Sequence, residues 1–158
     1  MSKIQSLAAT IALLCNVSCM TTLDYYTKET NYGKPHTVQE YQHFSGWCKK
    51  TGRIEDQIWA HQKTIKLLEK GSEEELTEKI KLADSYLVLL RDYQSSISIY
   101  SVDKNEIWIK AQQICKEALD VSNSIPLDDI RFYSTRDQIR YLCERFNHPK
   151  KIHDFQDF

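Results

Sequence analysis

Glu40-Tyr-Gln-His43 has the Glu-x-x-His spacing that sets a carboxylate and an imidazole on one helical face, as in carboxylate-bridged metal sites of helical bundles. Such a site needs a second Glu-x-x-His to complete its ligand set. The chain contains none, so Glu40 and His43 read as an exposed polar pair and no metal is expected. His36, His43, His61, His148 and His153 include no H-E-x-x-H pair and no Cys-x-x-Cys partner, which leaves zinc unsupported. No Gly-x-Ser-x-Gly elbow, phosphate loop or dinucleotide fingerprint occurs, and 4 glycines leave little room for one. No cofactor is expected. Cys48 with His43 or His61 offers a nucleophile and a base, a combination found by chance in most small proteins. Because no complete set of catalytic roles can be assigned, the expectation is a chain that is not an enzyme.

The elements that must position these residues are helices. With 158 residues the chain suits one domain, and 41% hydrophobic against 27% charged residues is an ordinary globular balance. A formal net charge of −1 provides no large basic surface for a phosphate backbone, so nucleic acid is not an expected partner. Glycine and proline number only 4 and 3, too few for a sheet with many tight turns. The expected fold is all-α, a small bundle of about five helices.

Thr37-Val-Gln-Glu40 has capping-box spacing and starts a helix over residues 37–50, with Tyr41, Phe44 and Cys48 on its apolar face. A second helix takes residues 53–70, with Ile54, Ile58, Ile65 and Leu68 apolar and Gly71 placed to close it. Ser72-Glu-Glu-Glu75 is another capping box. The helix it opens carries Leu76, Ile80, Ala83, Leu87 and Leu90, and the short linker makes an antiparallel hairpin with the preceding helix. Asp103 and Glu106 begin a fourth helix, with Ile107, Ala111, Ile114 and Ala118 as its stripe. Ser134 or Thr135 caps a fifth, in which Ile139, Leu142, Cys143 and Phe146 share a face. Residues 96–102 alternate and are β-branched like a strand, but no second strand pairs with them, so they are read as the frayed end of the third helix.

The N-terminus follows a different plan. Lys3 supplies a positive charge, Leu7 to Cys15 is apolar, and Asn16-Val-Ser-Cys19 follows, the layout of an export signal. The run is too short to span a bilayer, which takes about 20 apolar residues. Val17-Ser18-Cys19 resembles the lipobox of bacterial lipoprotein precursors, although Asn16 stands where an aliphatic residue is usual. That resemblance covers only the first 19 residues. It implies cleavage before Cys19 and lipid on its thiol, an anchor in the cell envelope rather than an activity. By the same resemblance, Met20 after the cysteine favours the outer membrane. The alternative is ordinary cleavage after Cys19 and a secreted soluble product.

The expected organisation is therefore a signal peptide at 1–18, a lipidated start and extended tether at 19–36, a helical domain at 37–146 and a tail at 147–158. After cleavage Cys48, Cys115 and Cys143 remain, all on apolar stripes and readable as core thiols. In an oxidising compartment three pairings are open, and Cys115 with Cys143 is the one a hairpin-like return would favour. Trp47, Trp59 and Trp108 read as core aromatics. Tyr25, Tyr26 and Tyr32 lie in the tether, where they either contact a partner or are simply solvated. Two roles follow: a noncatalytic envelope protein acting through protein–protein contact, as an assembly factor, inhibitor, exclusion or immunity protein, or a small envelope hydrolase acting on peptidoglycan or peptides.

Overall fold

The computed structural model describes residues 21–99 and 104–148. They form α1 (Thr22–Thr30), α2 (Val38–Thr51), α3 (Ile54–Leu67), α4 (Glu73–Ile99), α5 (Lys104–Asn123) and α6 (Tyr133–Asn147), with no strand among the described residues. The chain divides into two units, residues 1–35 and 36–158. The expected signal peptide, Cys19 and residues 149–158 of the tail lie outside the described residues.

In the first unit the expected extended tether is instead partly helical. Its weak apolar periodicity conceals good ends: the Thr21 hydroxyl accepts from the Asp24 amide at 3.3 Å and the Asp24 carboxylate accepts from the Thr21 amide at 3.0 Å. Asn31 ends α1 in the left-handed region at φ 57°, a conformation asparagine tolerates better than most residues. Local capping thus makes a helix where hydrophobic spacing indicates none.

In the second unit all five expected helices are present. Thr37 and Glu40 form their capping box, and Gly52 at φ 72° closes α2 while the Arg53 amide reaches back to the Cys48 carbonyl at 2.9 Å. That is a Schellman-type ending, which needs the conformation glycine adopts without a Cβ penalty. The second predicted helix ends early, at Leu67 rather than residue 70. Leu68 is extended, and Gly71 at φ 83° serves the tight turn in which the Ser72 amide meets the Glu69 carbonyl at 3.1 Å. Ser72 then caps α4, its hydroxyl accepting the Glu75 amide at 3.1 Å, while the Glu75 carboxylate takes the Gly71 amide. Residues 96–99 belong to α4, and 100–103 lie outside the described residues. The cap expected at Ser134 or Thr135 is displaced: α6 starts behind Phe132, because Thr135 spends its hydroxyl on Asp84 at 2.8 Å and Ser134 accepts from Gln138.

α4 is the central element, packed against α3, α5 and α6. Its pairings with α3 run in opposite order along the two helices, Gln62 with Tyr86 and Glu55 with Tyr93, so the expected antiparallel hairpin is present. Leu82, Ala83, Tyr86, Leu87 and Leu90 are buried against Ala111, Cys115 and Ala118 of α5 and Ile139, Leu142, Cys143 and Phe146 of α6. Trp108 packs edge-on to Phe146 with centroids 5.6 Å apart, and Trp59 packs edge-on to Phe44 at 5.9 Å. Among the described residues no helix is long and apolar enough to cross a membrane.

Candidate functional site

Three polar side chains that share no local motif meet between α2, α3 and α4. Ser45 lies on the buried face of α2 beside Phe44, His61 on α3 next to Ala60, and Glu78 on α4 one turn before Leu82. His61 Nδ1 is 2.6 Å from Glu78 Oε1, and His61 Nε2 is 3.0 Å from Ser45 Oγ. A carboxylate only accepts, so Nδ1–H donates to Glu78. In the neutral ring Nε2 then carries the single lone pair and accepts the Ser45 hydroxyl, with the Gln57 carboxamide nitrogen 3.4 Å away. Lys81 Nζ reaches the second Glu78 oxygen at 3.1 Å.

All three members are buried, Ser45 and His61 at 4% exposure and Glu78 at 1%. Burial alone would raise the Glu78 carboxyl. The hydrogen bond and charge of His61, with those of Lys81, outweigh it and hold the group below the ordinary carboxylate value. Above the network opens a cleft of about 520 Å³, also lined by Gln42, Gly46 and Lys49 of α2, Ile54 and Gln57 of α3, and Lys81, Asp84, Ser85 and Val88 of α4. A Cβ at Gly46 would meet nothing within 4 Å, so glycine there faces open space beside Ser45. The arrangement orders a hydroxyl, an imidazole and a carboxylate in the sequence that lets a hydroxyl lose its proton.

The residues singled out by sequence lie elsewhere. Glu40 serves the α2 cap, accepting the His36 amide at 2.8 Å and the Thr37 amide at 3.0 Å, while His43 faces outward on the same helix. Cys48 is fully buried, and burial, aided by the Asp56 charge, pushes its thiol up to about 12, so it is no ready nucleophile. His61 does join a nucleophile-and-base arrangement, but with Ser45 rather than Cys48. Cys115 and Cys143 come together across α5 and α6 with Cys143 Sγ 3.8 Å from the Cys115 carbonyl. The two buried sulfurs carry no bond to each other in this structure, and as a thiol Cys115 is pushed upward by its hydrogen bond with Cys143 and by burial. Tyr25 and Tyr32 are exposed, but Tyr26 is buried, with the Tyr32 ring stacked beside it at 6.4 Å. Tyr26 therefore offers no exposed contact surface.

A second feature lies between α5 and α6. Ile125 and Phe132 are buried, and between them Leu127 is 72% and Ile130 87% exposed, with Tyr133 exposed at the start of α6. The loop is rigidly built. Buried Arg136 donates to the carbonyls of Ile125, Pro126 and Leu127 at 2.7–3.1 Å and lies over the Phe132 ring. Arg131 binds Asp129 and also Glu73 of α4 at 2.7 Å. Compared with known proteins, the chain matches no family model, no curated protein and no solved structure.

The cleft residues escaped sequence reading because each is ordinary in its own helix. The available signal was weak but real: Glu75, Glu78, Leu82, Ser85 and Leu89 recur at helical spacing, a second inward stripe on α4 with polar members.

Proposed function

We propose that the chain is a lipid-anchored envelope protein that works by binding another envelope protein, in an assembly, inhibitory, exclusion or immunity-type role. Such a role requires no reaction. The observation that supports it is the loop of residues 125–133, where two aliphatic side chains and a tyrosine stand in solvent on a backbone already held by Arg136 and Arg131. A backbone held before contact loses little further entropy on binding, so that removal of the apolar surface it presents from water is less offset. Asp128 and Arg131 beside it supply a charged rim. Attachment through Cys19 would raise the effective concentration of this surface near a membrane-bound partner without adding a contact.

A photo-crosslinking residue placed in turn at Leu127, Ile130 and Gln113, the last exposed on α5, tests the reading in intact envelopes. The expected result is one discrete adduct from positions 127 and 130 and none from 113. Combining Leu127→Asp with Ile130→Asp should leave the thermal midpoint unchanged while abolishing the biological effect. Indistinguishable adducts from all three positions would reject the loop as the contact.

A second reading, a small envelope hydrolase, is favoured by the Ser45–His61–Glu78 relay at the floor of the cleft. The two readings use different residues and make separable predictions.

A further inference from the structure

Resting on the hydrolase reading, we propose that Ser45 is an acyl-accepting nucleophile, with His61 as its base and Glu78 as the positioning residue, and that the cleft takes carboxylic esters. The relay has the order and distances that nucleophile activation needs, Oγ to Nε2 at 3.0 Å and Nδ1 to carboxylate at 2.6 Å. Polar networks of this kind also serve only to satisfy one another in helical cores. Here the network is not sealed, because Ser45, Gln57, His61 and Glu78 all line an open cleft. Glu78 is held by two donors from different elements, Nδ1 of His61 and Nζ of Lys81, so the ring it orients cannot easily turn away from Ser45.

The chemistry balances with water as the co-reactant. As Ser45 Oγ bonds to the ester carbonyl carbon, its proton passes to His61 Nε2. The bond from that carbon to the alkoxy oxygen breaks, and the departing oxygen takes the proton from Nε2. Water then attacks the acyl carbon, giving a proton to Nε2 that returns to Ser45 Oγ as the Oγ–carbon bond breaks. The carboxylic acid leaves, and no electrons change hands.

The helix decides the substrate class. Ser45 lies inside α2, where backbone N–H groups are committed to the helical ladder and cannot form a backbone oxyanion hole. The donor left beside the reacting centre is the Gln57 carboxamide, whose nitrogen is 3.4 Å from His61 Nε2. One neutral side-chain donor stabilises a tetrahedral oxyanion modestly, which suits an ester with its good leaving group and not an amide. Ile54 and Val88 offer apolar wall to an acyl chain, while Lys49 and Lys81 offer charge at the rim.

The test uses the full-length chain, a fluorophosphonate probe and p-nitrophenyl acetate. The probe should add once, and peptide mass mapping should locate it on Ser45. Ester hydrolysis above the buffer rate should fall at least about 100-fold in Ser45→Ala and in His61→Asn. Glu78→Gln should lower kcat about 10-fold or more with KM held and should displace the pH profile, which a purely structural role would not do. Should Ser45→Ala fail to fold, the location of the adduct on the wild-type chain decides the matter. No adduct on Ser45 overturns the nucleophile and the hydrolase reading with it. An adduct on Ser45 without ester turnover overturns the ester class and leaves a hydrolase of another substrate.

Discussion

Glu78 is a carboxylate at 1% exposure, and its position is tolerable because His61 and Lys81 each donate a hydrogen bond to it. His61→Leu strips the buried carboxylate of its Nδ1 donor and should lower the denaturation midpoint severely, about 3–5 kcal/mol for a broken buried pair. Glu78→Gln, which still accepts from Nδ1, should destabilise the chain less. Acid should act through the same residue. Its carboxyl is held below the ordinary value of 4.5, so its ionised form favours the folded chain. That contribution is fully present above the ordinary carboxylate value and is lost as pH falls through the lower folded value. His61 and Lys81 are the titratable groups that face it. Thermal melts from pH 7 to 3 should show a flat neutral limb and a steep acid limb, and Glu78→Gln should make the acid limb shallower. An identical acid limb in both chains would show that other carboxylates govern it.

At the scale of elements, the connection between α5 and α6 is held by side-chain hydrogen bonds rather than by a helical ladder. Its shape rests on Arg136, a buried guanidinium that joins three carbonyls of the loop from inside α6. Each such charge-assisted bond contributes about 1.5–3 kcal/mol, though bonds sharing one side chain do not add. Arg136→Met keeps the apolar stem over Phe132 and removes the donors. It should destabilise the chain by about 3 kcal/mol and speed amide exchange across residues 125–132, measured by mass spectrometry. Leu127 and Ile130, which face solvent, should tolerate substitution with changes within about 0.5 kcal/mol. The exchange experiment separates the two effects: Arg136 sets the loop's order, and the exposed residues set what it can touch.

At the scale of the whole molecule, α4 joins the two features. Its inward polar stripe closes the cleft against α2 and α3, and Glu73 at its start holds Arg131 of the loop. Both features are built from described residues, and the expected task of the first 19 residues is a separate matter of address. If Cys19 carries lipid, labelled palmitate should enter the wild-type chain in a bacterial host, Cys19→Ser should abolish it, and Cys15→Ser should not. Several acyl chains, at about 0.8 kcal/mol per buried methylene, make such an anchor stable. Label retained by Cys19→Ser would refute the lipobox reading, and a binding role would then have to survive without tethering.

Helix identity was readable from sequence because its determinants are local. The Thr37 and Ser72 caps and the stripe of Ile139, Leu142, Cys143 and Phe146 act within a turn or two of chain. The short helix α1 was hidden because its stability lies in Thr21, Asp24 and Asn31 rather than in apolar spacing. Long-range positions are another matter. Ser45, His61 and Glu78 stand 16 and 17 residues apart, and nothing within any one helix marks them as partners. A lone glutamate on a helix is normally solvated, and only the packing of three helices turned this one inward and supplied its donors. The same holds for Leu127 and Ile130, apolar residues that local pattern would bury. Sequence alone determined which segments of the second unit are helical and suggested how the chain is addressed. Tertiary structure decided which polar groups meet and which apolar groups remain in water, because burial depends on what arrives from distant parts of the chain.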